Sequence, residues 1–202
     1  MQPFEDVFIE DILQCGTNDF GSGLQSRLYF APASYFSAIN LPTPTNFQES
    51  LLISVSDVFL NGGMLWNAID ILIDENEIKT SIQGGTKRKK SKTTIDLFIL
   101  GFRAKVLGFV ELLKNEDLIF CINTSDGHGI LVGNLRNFAN IDKADGNTGK
   151  KYEDNSGVSV SINCNSPVYI FKEKLIIDTS GSSGGGGGMF EHFSYIDITQ
   201  DY

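Results

Sequence analysis

A run of five cations is the sequence feature best suited to binding an anion. The cations lie in the stretch GGTKRKKSK, between two strand-like segments, and comprise Lys87, Arg88, Lys89, Lys90 and Lys92. Clustered cations bind phosphates by releasing counterions. However, this run lacks the interleaved aromatic residues on which bases stack and the G-x-x-x-x-G-K-[ST] order of a phosphate loop. We therefore favour a solvated hairpin tip, which also protects the sheet edge from foreign strands, over a nucleic-acid contact.

A second polar segment, DKADGNTGKKYED, has four carboxylates that resemble calcium ligands, those of Asp142, Asp145, Glu153 and Asp154. An EF-hand loop needs oxygen ligands at its first, third and fifth positions and a glycine at its sixth. Here Ala144 and Gly146 occupy the third and fifth positions, so the spacing fails. We expect instead an acidic surface connection with turns at Asp145-Gly146 and Asn155-Ser156-Gly157.

Nucleophilic catalysis needs a serine or cysteine beside a histidine that an acid orients. The two histidines, His128 and His192, lie in a predicted tight turn and near the C-terminus. None of the patterns G-x-S-x-G, H-E-x-x-H and G-x-G-x-x-G occurs. A carboxylate pair for glycoside cleavage has no sequence signature, because its separation is spatial, and nothing recommends one here. We therefore predict no catalytic residues and no cofactor, in a protein that is not an enzyme.

The three cysteines, Cys15, Cys121 and Cys164, are widely spaced and form no CxxC pair. A zinc site needs about four closely spaced ligands, which neither histidine helps to supply. We expect reduced thiols, with Cys121 a small core residue in LIFCIN, and no metal site.

Six aromatic residues could line a sugar or ligand groove, but in a β protein such residues more often form core and interfaces. They are Phe30, Tyr35, Phe36, Phe47, Phe59 and Trp66.

The bulk composition fits one folded domain with appendages. The chain has 202 residues, 41% hydrophobic content, a net charge of −9 and a pI near 4.6. Such an acidic surface disfavours DNA binding by the whole surface. The N-terminus lacks a signal-peptide pattern, and no segment reaches the roughly 18 apolar residues of a membrane span. We therefore expect a soluble, cytosolically made protein with no membrane association, divided into a domain over 1–179 and a Gly-rich linker and arm over 180–202.

Most apolar segments have a period of two, which predicts a mainly β protein. Strands are expected in LLISVSDVFL, EIKTSI, TIDLFIL and GVSVSIN, and a hairpin turning at Asp126-Gly127 is expected around NTSDGHG. In each of the four strands alternate residues share one face, namely Leu51, Ile53 and Val55; Ile78, Thr80 and Ile82; Ile95, Leu97 and Ile99; and Val158, Val160 and Ile162. One segment differs: Val106, Phe109, Val110 and Leu113 recur at helical spacing, which predicts one helix packed on the sheet. A shorter helical turn is expected in PASYFSAIN.

The order of these features resembles tail-tube-like structural proteins of tailed bacteriophages and prophages, especially those associated with Bacteroidetes hosts. The resemblance covers most of Asp11 to Phe171. It rests on DILQC, RLYFAPASYFSAI, the basic-tipped hairpin, AKVLGFVELL, NEDLIFCINTSDGHGILVGN and ADGNTGKKYEDNSGVSVSINCNSPVYIF. The Gly-rich linker with its aromatic tail departs from a minimal tube protein and leaves a neck, baseplate or tail-tip role open.

The resemblance implies an antiparallel β-sandwich or barrel with one packed helix, a long hairpin and a flexible C-terminal arm. It implies subunits that form hexameric rings, stacked into a tube through which the genome and tape measure pass. Other tail proteins, namely the tape measure, terminator, baseplate or sheath, would be partners, and DNA would pass without specific binding. The implied location is the virion tail, assembled in the bacterial cytoplasm.

Carried over to this sequence, the hairpin Ile78 to Leu100 would join neighbouring subunits. Its tip, Gly84 to Lys92, would reach an adjacent ring, and Asp142 to Gly157 would lie between rings. The expected inter-subunit contacts are Lys87, Arg88, Lys89, Lys90, Lys92, Asp142, Asp145, Lys150, Lys151 and Asp154. Two other classes stay open: another virion component, such as a capsid decoration or head-completion protein, and a carbohydrate-binding adhesive β-sandwich.

Overall fold

A computed structural model describes residues 23–43, 46–151, 154–174, 176–177 and 193–194. Cys15, His192 and the Gly-rich linker lie outside these residues. The elements are β1 Leu24–Pro32, β2 Phe36–Ile39, β3 Leu52–Ile53, β4 Val58–Leu60, β5 Asn67–Asp70, β6 Glu77–Gln83, β7 Lys90–Leu100, α1 Ala104–Leu113, β8 Leu118–Thr124, β9 His128–Val132, β10 Ala139–Asn147, β11 Gly157–Cys164, β12 Tyr169–Lys174, β13 Ile176–Ile177 and β14 Phe193–Ser194. The predicted mainly β class with one helix is confirmed.

Ten of these strands form one mixed sheet. Eight follow the order β3-β12-β9-β8-β10-β11-β7-β6, while β1 pairs with β8 and β5 pairs with β1. All pairings are antiparallel except that of β12 with β3. Within the described residues the sheet is open, with β3 and β6 at the ends of its path, so the barrel alternative is wrong.

Strand β8 lies at the centre of the fold because both of its faces are buried. Leu118, Phe120 and Ile122 belong to one hydrophobic cluster, whereas Ile119 and Cys121 belong to another. All five side chains have no exposed surface. Since successive side chains of a strand point to opposite faces, one strand contributes to two cores.

The first core lies where α1 and the inner faces of β7 and β11 meet β8. Ile95, Leu97 and Ile99 alternate inward from β7. From β11, Val158, Val160 and Ile162 do the same. The four periodic residues of α1 all contact this core, with Val106 buried and Phe109 edge-on to Phe30 at 5.0 Å between ring centroids. The predicted helix and both predicted strand faces are confirmed.

The second core lies on the other face of β8 and is covered by short elements. Phe36 and Trp66 pack edge-on there, with ring centroids 5.2 Å apart. The helical turn expected in PASYFSAIN is a 3₁₀ turn over Ala33–Tyr35, which leads directly into β2. Because β2 and β4 form a separate two-stranded sheet, they cover this core without joining the main sheet.

The continuous strand predicted over LLISVSDVFL is wrong. Two 3₁₀ turns, Glu49–Leu51 and Val55–Asp57, alternate there with the short strands β3 and β4. The break at Ser54 has a local and a tertiary contribution. The Ser54 amide donates to the Asp57 carboxylate at 3.1 Å, as in a helix capping box. The Glu173 carboxylate accepts hydrogen bonds from the Ser54 hydroxyl at 2.8 Å and the Val55 amide at 3.2 Å. Ile53 still reaches the second core.

The expected turn at Asp145-Gly146 is also wrong, because both residues belong to β10. Gly146 pairs with Val158 of β11, and the Phe102 ring lies over it, 2.8 Å from where a Cβ would stand. Gly157 has a similar role at the start of β11: its Cβ position would lie 2.4 Å from the Ile99 carbonyl oxygen and 2.7 Å from Phe98 Cζ. Both glycines therefore make room for an aromatic ring within a sheet.

We predict that Gly157→Ala lowers the free energy of unfolding by about 1–3 kcal/mol, because the added methyl overpacks against the β7 backbone and Phe98. The control is Gly108→Ala in α1, whose Cβ meets nothing within 4 Å. That change should raise stability by about 1 kcal/mol through helix propensity. Urea denaturation followed by circular dichroism measures both, and an unchanged or raised midpoint for Gly157→Ala would contradict the close approach.

Candidate functional site

Strand β6 and the tip that follows it, residues 77–90, form an arm with almost no core of its own. Every residue from 81 to 90 is exposed, and Ile82 retains 70% of its surface. Of the face predicted to carry Ile78, Thr80 and Ile82, only Ile78 packs against the first core. The arm is held by backbone pairing with β7 rather than by burial of its side chains. The alternating pattern of its sequence therefore predicted a buried face that the structure does not have.

The tip of this arm is a defined turn. The Arg88 amide donates to the Gly85 carbonyl at 3.0 Å. Gly84 has a φ of 119°, and its Cβ position would lie 2.4 Å from the Arg88 carbonyl oxygen, so only glycine fits. Lys87 has a φ of 60°, in the left-handed region.

The five predicted cations lie together at this tip and at the adjoining start of β7. Within the described chain none of them forms an ion pair, since the ion pairs there involve Arg27, Lys79, Lys114 and Lys143. Lys87, Arg88, Lys89 and Lys90 are exposed, and Lys92 is half-buried. The expectation of an exposed basic hairpin tip is confirmed, whereas its role in subunit contacts stays a prediction.

The second predicted contact segment forms the end of the β10–β11 hairpin. The Asp154 carboxylate accepts from the amides of Lys150 and Lys151, each at 2.8 Å, so this side chain shapes its own loop. Lys150 and Lys151 are exposed. Asp142 is exposed where the β10–β11 register shifts, and the Asp145 carboxylate is 2.7 Å from Lys143 Nζ. Glu153 lies outside the described residues.

The strand register places these two hairpin ends at opposite ends of the sheet. At one end Lys90 pairs with Gln83 and leads into the basic tip. At the other end Leu100 pairs with Gly157, next to the loop of Lys150 and Lys151. The 11 residues of β7 span about 34 Å. The structure thus separates the two groups that the sequence grouped as one set of contacts.

A groove on the outer face of β7, β10 and β11 lies between these ends. Its lining residues are Glu75, Asp96, Leu97, Phe98, Lys143, Asp145, Ser159, Val160 and Ser161. Two cross-strand rows form it: Lys143, Ser161 and Asp96 in one, and Asp145, Ser159 and Phe98 in the other. The Ser161 hydroxyl donates to Asp96 at 2.7 Å. We call this feature the acid-rimmed groove; sequence patterns did not reveal it because its residues come from three strands and a turn.

Several large apolar side chains are exposed around α1, and the sequence patterns did not predict this surface. They are Leu100, Phe102, Leu107 and Leu112, the last with 77% of its surface exposed. An apolar groove adjoins them, between α1 and the β10–β11 hairpin, and includes Val110, Ala144 and Val158. The helical spacing identified the buried side of α1. Leu107 and Leu112 do not follow that spacing, and this was the sequence signal from which their exposure could have been predicted.

The residues tested for chemistry are dispersed. Cys121 and Cys164 are free and buried, and burial raises the pKa of both thiols. His128 is half-buried at the start of β9, and no hydrogen bond joins its Nδ1 to another described residue. A threonine hydroxyl, that of Thr124, lowers the pKa of the nearby Asp126. Among the described residues no group of three or more histidine, cysteine or acidic side chains could hold a metal ion.

The aromatic residues weighed as a ligand groove do not share one surface. Phe36 and Trp66 are in the second core, whereas Phe30 contacts the first. Phe47 and Phe59 are 41% and 39% exposed.

In the described part of the chain, no helix has the length and apolar character needed to cross a bilayer.

Comparisons with known proteins give one structural similarity. No family model and no curated protein matches the chain. A chain from a solved structure described as "Virion of native gene transfer agent (GTA) particle" aligns with 55% of this chain and 97% of its own length. The TM-score is 0.40 and the sequence identity is 10%.

We predict that the two described thiols are inert in the folded protein. In a Cys15→Ser variant, only Cys121 and Cys164 remain. Because both are buried and burial raises their pKa, a chromogenic disulfide reagent at mildly alkaline pH should label them only after denaturation. The unfolded variant, which should titrate two thiols, is the control. Rapid labelling of the native variant would contradict the placement of these residues.

Proposed function

We propose that this protein is a non-enzymatic structural subunit of a tailed-phage-like virion, forming stacked hexameric rings of a tail tube. The observation that carries the proposal is the pair of projecting hairpins at opposite ends of one sheet. One end presents the exposed basic tip, and the other presents the β10–β11 loop. The family resemblance of the sequence supplies the virion context.

Two different ends on one subunit favour head-to-tail assembly. When unlike patches meet, each added copy leaves one of each patch free, so the contacts close into rings or continue as filaments. An isolated two-stranded ribbon is marginally stable in water. The arm of residues 77–90, exposed over most of its length, would gain stability by contact with a neighbouring copy.

The charge distribution supports a conduit rather than a DNA-binding protein. Five of the 16 lysines and arginines lie in Lys87–Lys92, so the remaining chain, with 25 acidic residues and 11 basic ones, has a net charge of −14. A wall built from such acidic bodies repels phosphates, which lets DNA pass without specific binding. The basic tips would then be engaged in protein contacts.

The apolar surface around α1 supports lateral contacts within a ring. Leu107 and Leu112 project from the helix, and Phe102 lies just before it. Leu107 lines the apolar groove beside α1, and exposed apolar surface at a groove marks interaction sites in soluble proteins. An assembling subunit would bury it against the next copy.

The competing readings predict different behaviour. A capsid decoration or head-completion protein would attach to capsids as a monomer or small oligomer. A carbohydrate-binding module would bind glycans as an isolated monomer. No observation in the described structure favours either over self-assembly, and the aromatic residues expected to line a sugar groove are dispersed.

We predict that the purified protein forms six-membered rings or tubes, visible by negative-stain electron microscopy and by mass measurement in solution. Replacing Lys87, Arg88, Lys89 and Lys90 with serine should abolish stacking while leaving the thermal midpoint unchanged, because all four side chains are exposed. The control replaces Arg136 and Lys172, exposed cations outside the tip and outside α1, with serine. A monodisperse wild-type monomer at high concentration would count against the tube, and unchanged tubes from the tip variant would remove the tip from the contact.

A further inference from the structure

We propose that the acid-rimmed groove is the acceptor for the basic hairpin tip of a second copy of this chain. The inference rests on the proposed self-assembly and names the surface that would receive the tip. The groove carries Glu75, Asp96 and Asp145 at its rim, with Phe98 among its lining residues. The tip brings five cations and the exposed Ile82.

The tip of a given copy does not reach its own groove. Lys90 and Asp96 are six residues apart on one extended strand, which separates them by about 20 Å. The rest of the tip lies beyond Lys90, still farther from Asp96. The strand between them is paired on both sides, with β6 and β11, and this pairing prevents it from folding back. A contact between tip and groove is therefore a contact between two copies.

The position of the groove suits a head-to-tail stack. Phe98, Asp145 and Ser159 lie towards the end of the sheet where the β10–β11 loop begins, opposite the basic tip. A second copy stacked at the loop end with the same orientation would bring its tip towards this half of the sheet. Each copy would then give one tip and receive one tip.

The chemistry of the two surfaces is complementary in more than charge. The groove's lining also includes Lys143, whose Nζ is 2.7 Å from the Asp145 carboxylate. The lining therefore has more acidic than basic side chains, and one of its carboxylates is already paired. Phe98 forms part of the floor of the groove and keeps only 8% of its surface exposed, so the polar groups offer the contacts. Arg88 and its neighbouring lysines can donate hydrogen bonds to the Asp96 and Asp145 carboxylates and to the serine hydroxyls of the lining.

The shape of the tip is fixed before it docks. The 3.0 Å hydrogen bond between Arg88 and Gly85, together with the glycine-only geometry at Gly84, sets the direction of the turn. A preformed tip loses less conformational entropy on binding than a free loop of lysines would. Gly84→Ala, which leaves every charge in place, should therefore weaken assembly as well.

A charge-swap experiment tests the acceptor. The tip-reversed variant combines Lys87→Glu, Arg88→Glu and Lys89→Glu, and the groove-reversed variant combines Glu75→Lys and Asp145→Lys; all five side chains are exposed. Each variant alone should lose assemblies in sedimentation velocity. An equimolar mixture should regain them, because each tip then meets a groove of opposite charge, and a rise in ionic strength should weaken them.

The matched control combines Glu49→Lys and Glu116→Lys, exposed acids outside the groove that give the same change in net charge. Assembly of this control should equal that of the wild type. If the groove-reversed variant still assembles, or if the mixture forms no complex, the proposal that the groove accepts the tip is overturned. This conclusion holds whether or not the wild-type protein forms tubes. The proposed tube is judged separately, by whether wild-type protein forms rings or tubes at all.

Discussion

The complete burial of β8 on both faces is the constraint on which the fold depends. Leu118, Phe120 and Ile122 enter one core while Ile119 and Cys121 enter the other, so a shift by one residue would exchange every side chain between the two. Burying the five together removes a large apolar area from water, the main favourable contribution to folding. Strands β1 and β9 pair along β8, and β10 joins it at the single pair of Ala139 and Leu118.

The sheet extends away from this centre until burial gives way to exposure. β7 and β11 still present one full face to the first core, but β6 has only Ile78 in contact with it. The β10–β11 hairpin likewise ends in an exposed loop shaped by Asp154. These exposed hairpin ends add little to the folding free energy of an isolated subunit. They are therefore more important for contacts between subunits than for the stability of one subunit.

Sequence patterns correctly predicted the elements that depend on interactions within a few residues. The helix over α1 followed from the spacing of Val106, Phe109 and Val110, and the β8–β9 turn from Asp126-Gly127, where Gly127 has a φ of 89°. Predictions were wrong where another interaction overrides the hydrophobic pattern. At Ser54, a local bond to Asp57 and a contact with Glu173, 119 residues away, break a predicted strand. Gly146 pairs with Val158 in a strand instead of forming a turn. The groove was equally hidden, because Asp96 and Ser161 are 65 residues apart.

The sequence by itself determined the mainly β class, the inward faces of β7 and β11, the single helix and the exposure of the basic tip. These follow from hydrophobic period and turn chemistry, which act over a few residues. Only the tertiary structure decided that the basic tip and the Lys150–Lys151 loop stand at opposite ends of one sheet. That separation depends on the pairing of Leu100 with Gly157 and of Thr93 with Cys164, and register between distant strands is set by how both pack on a shared core.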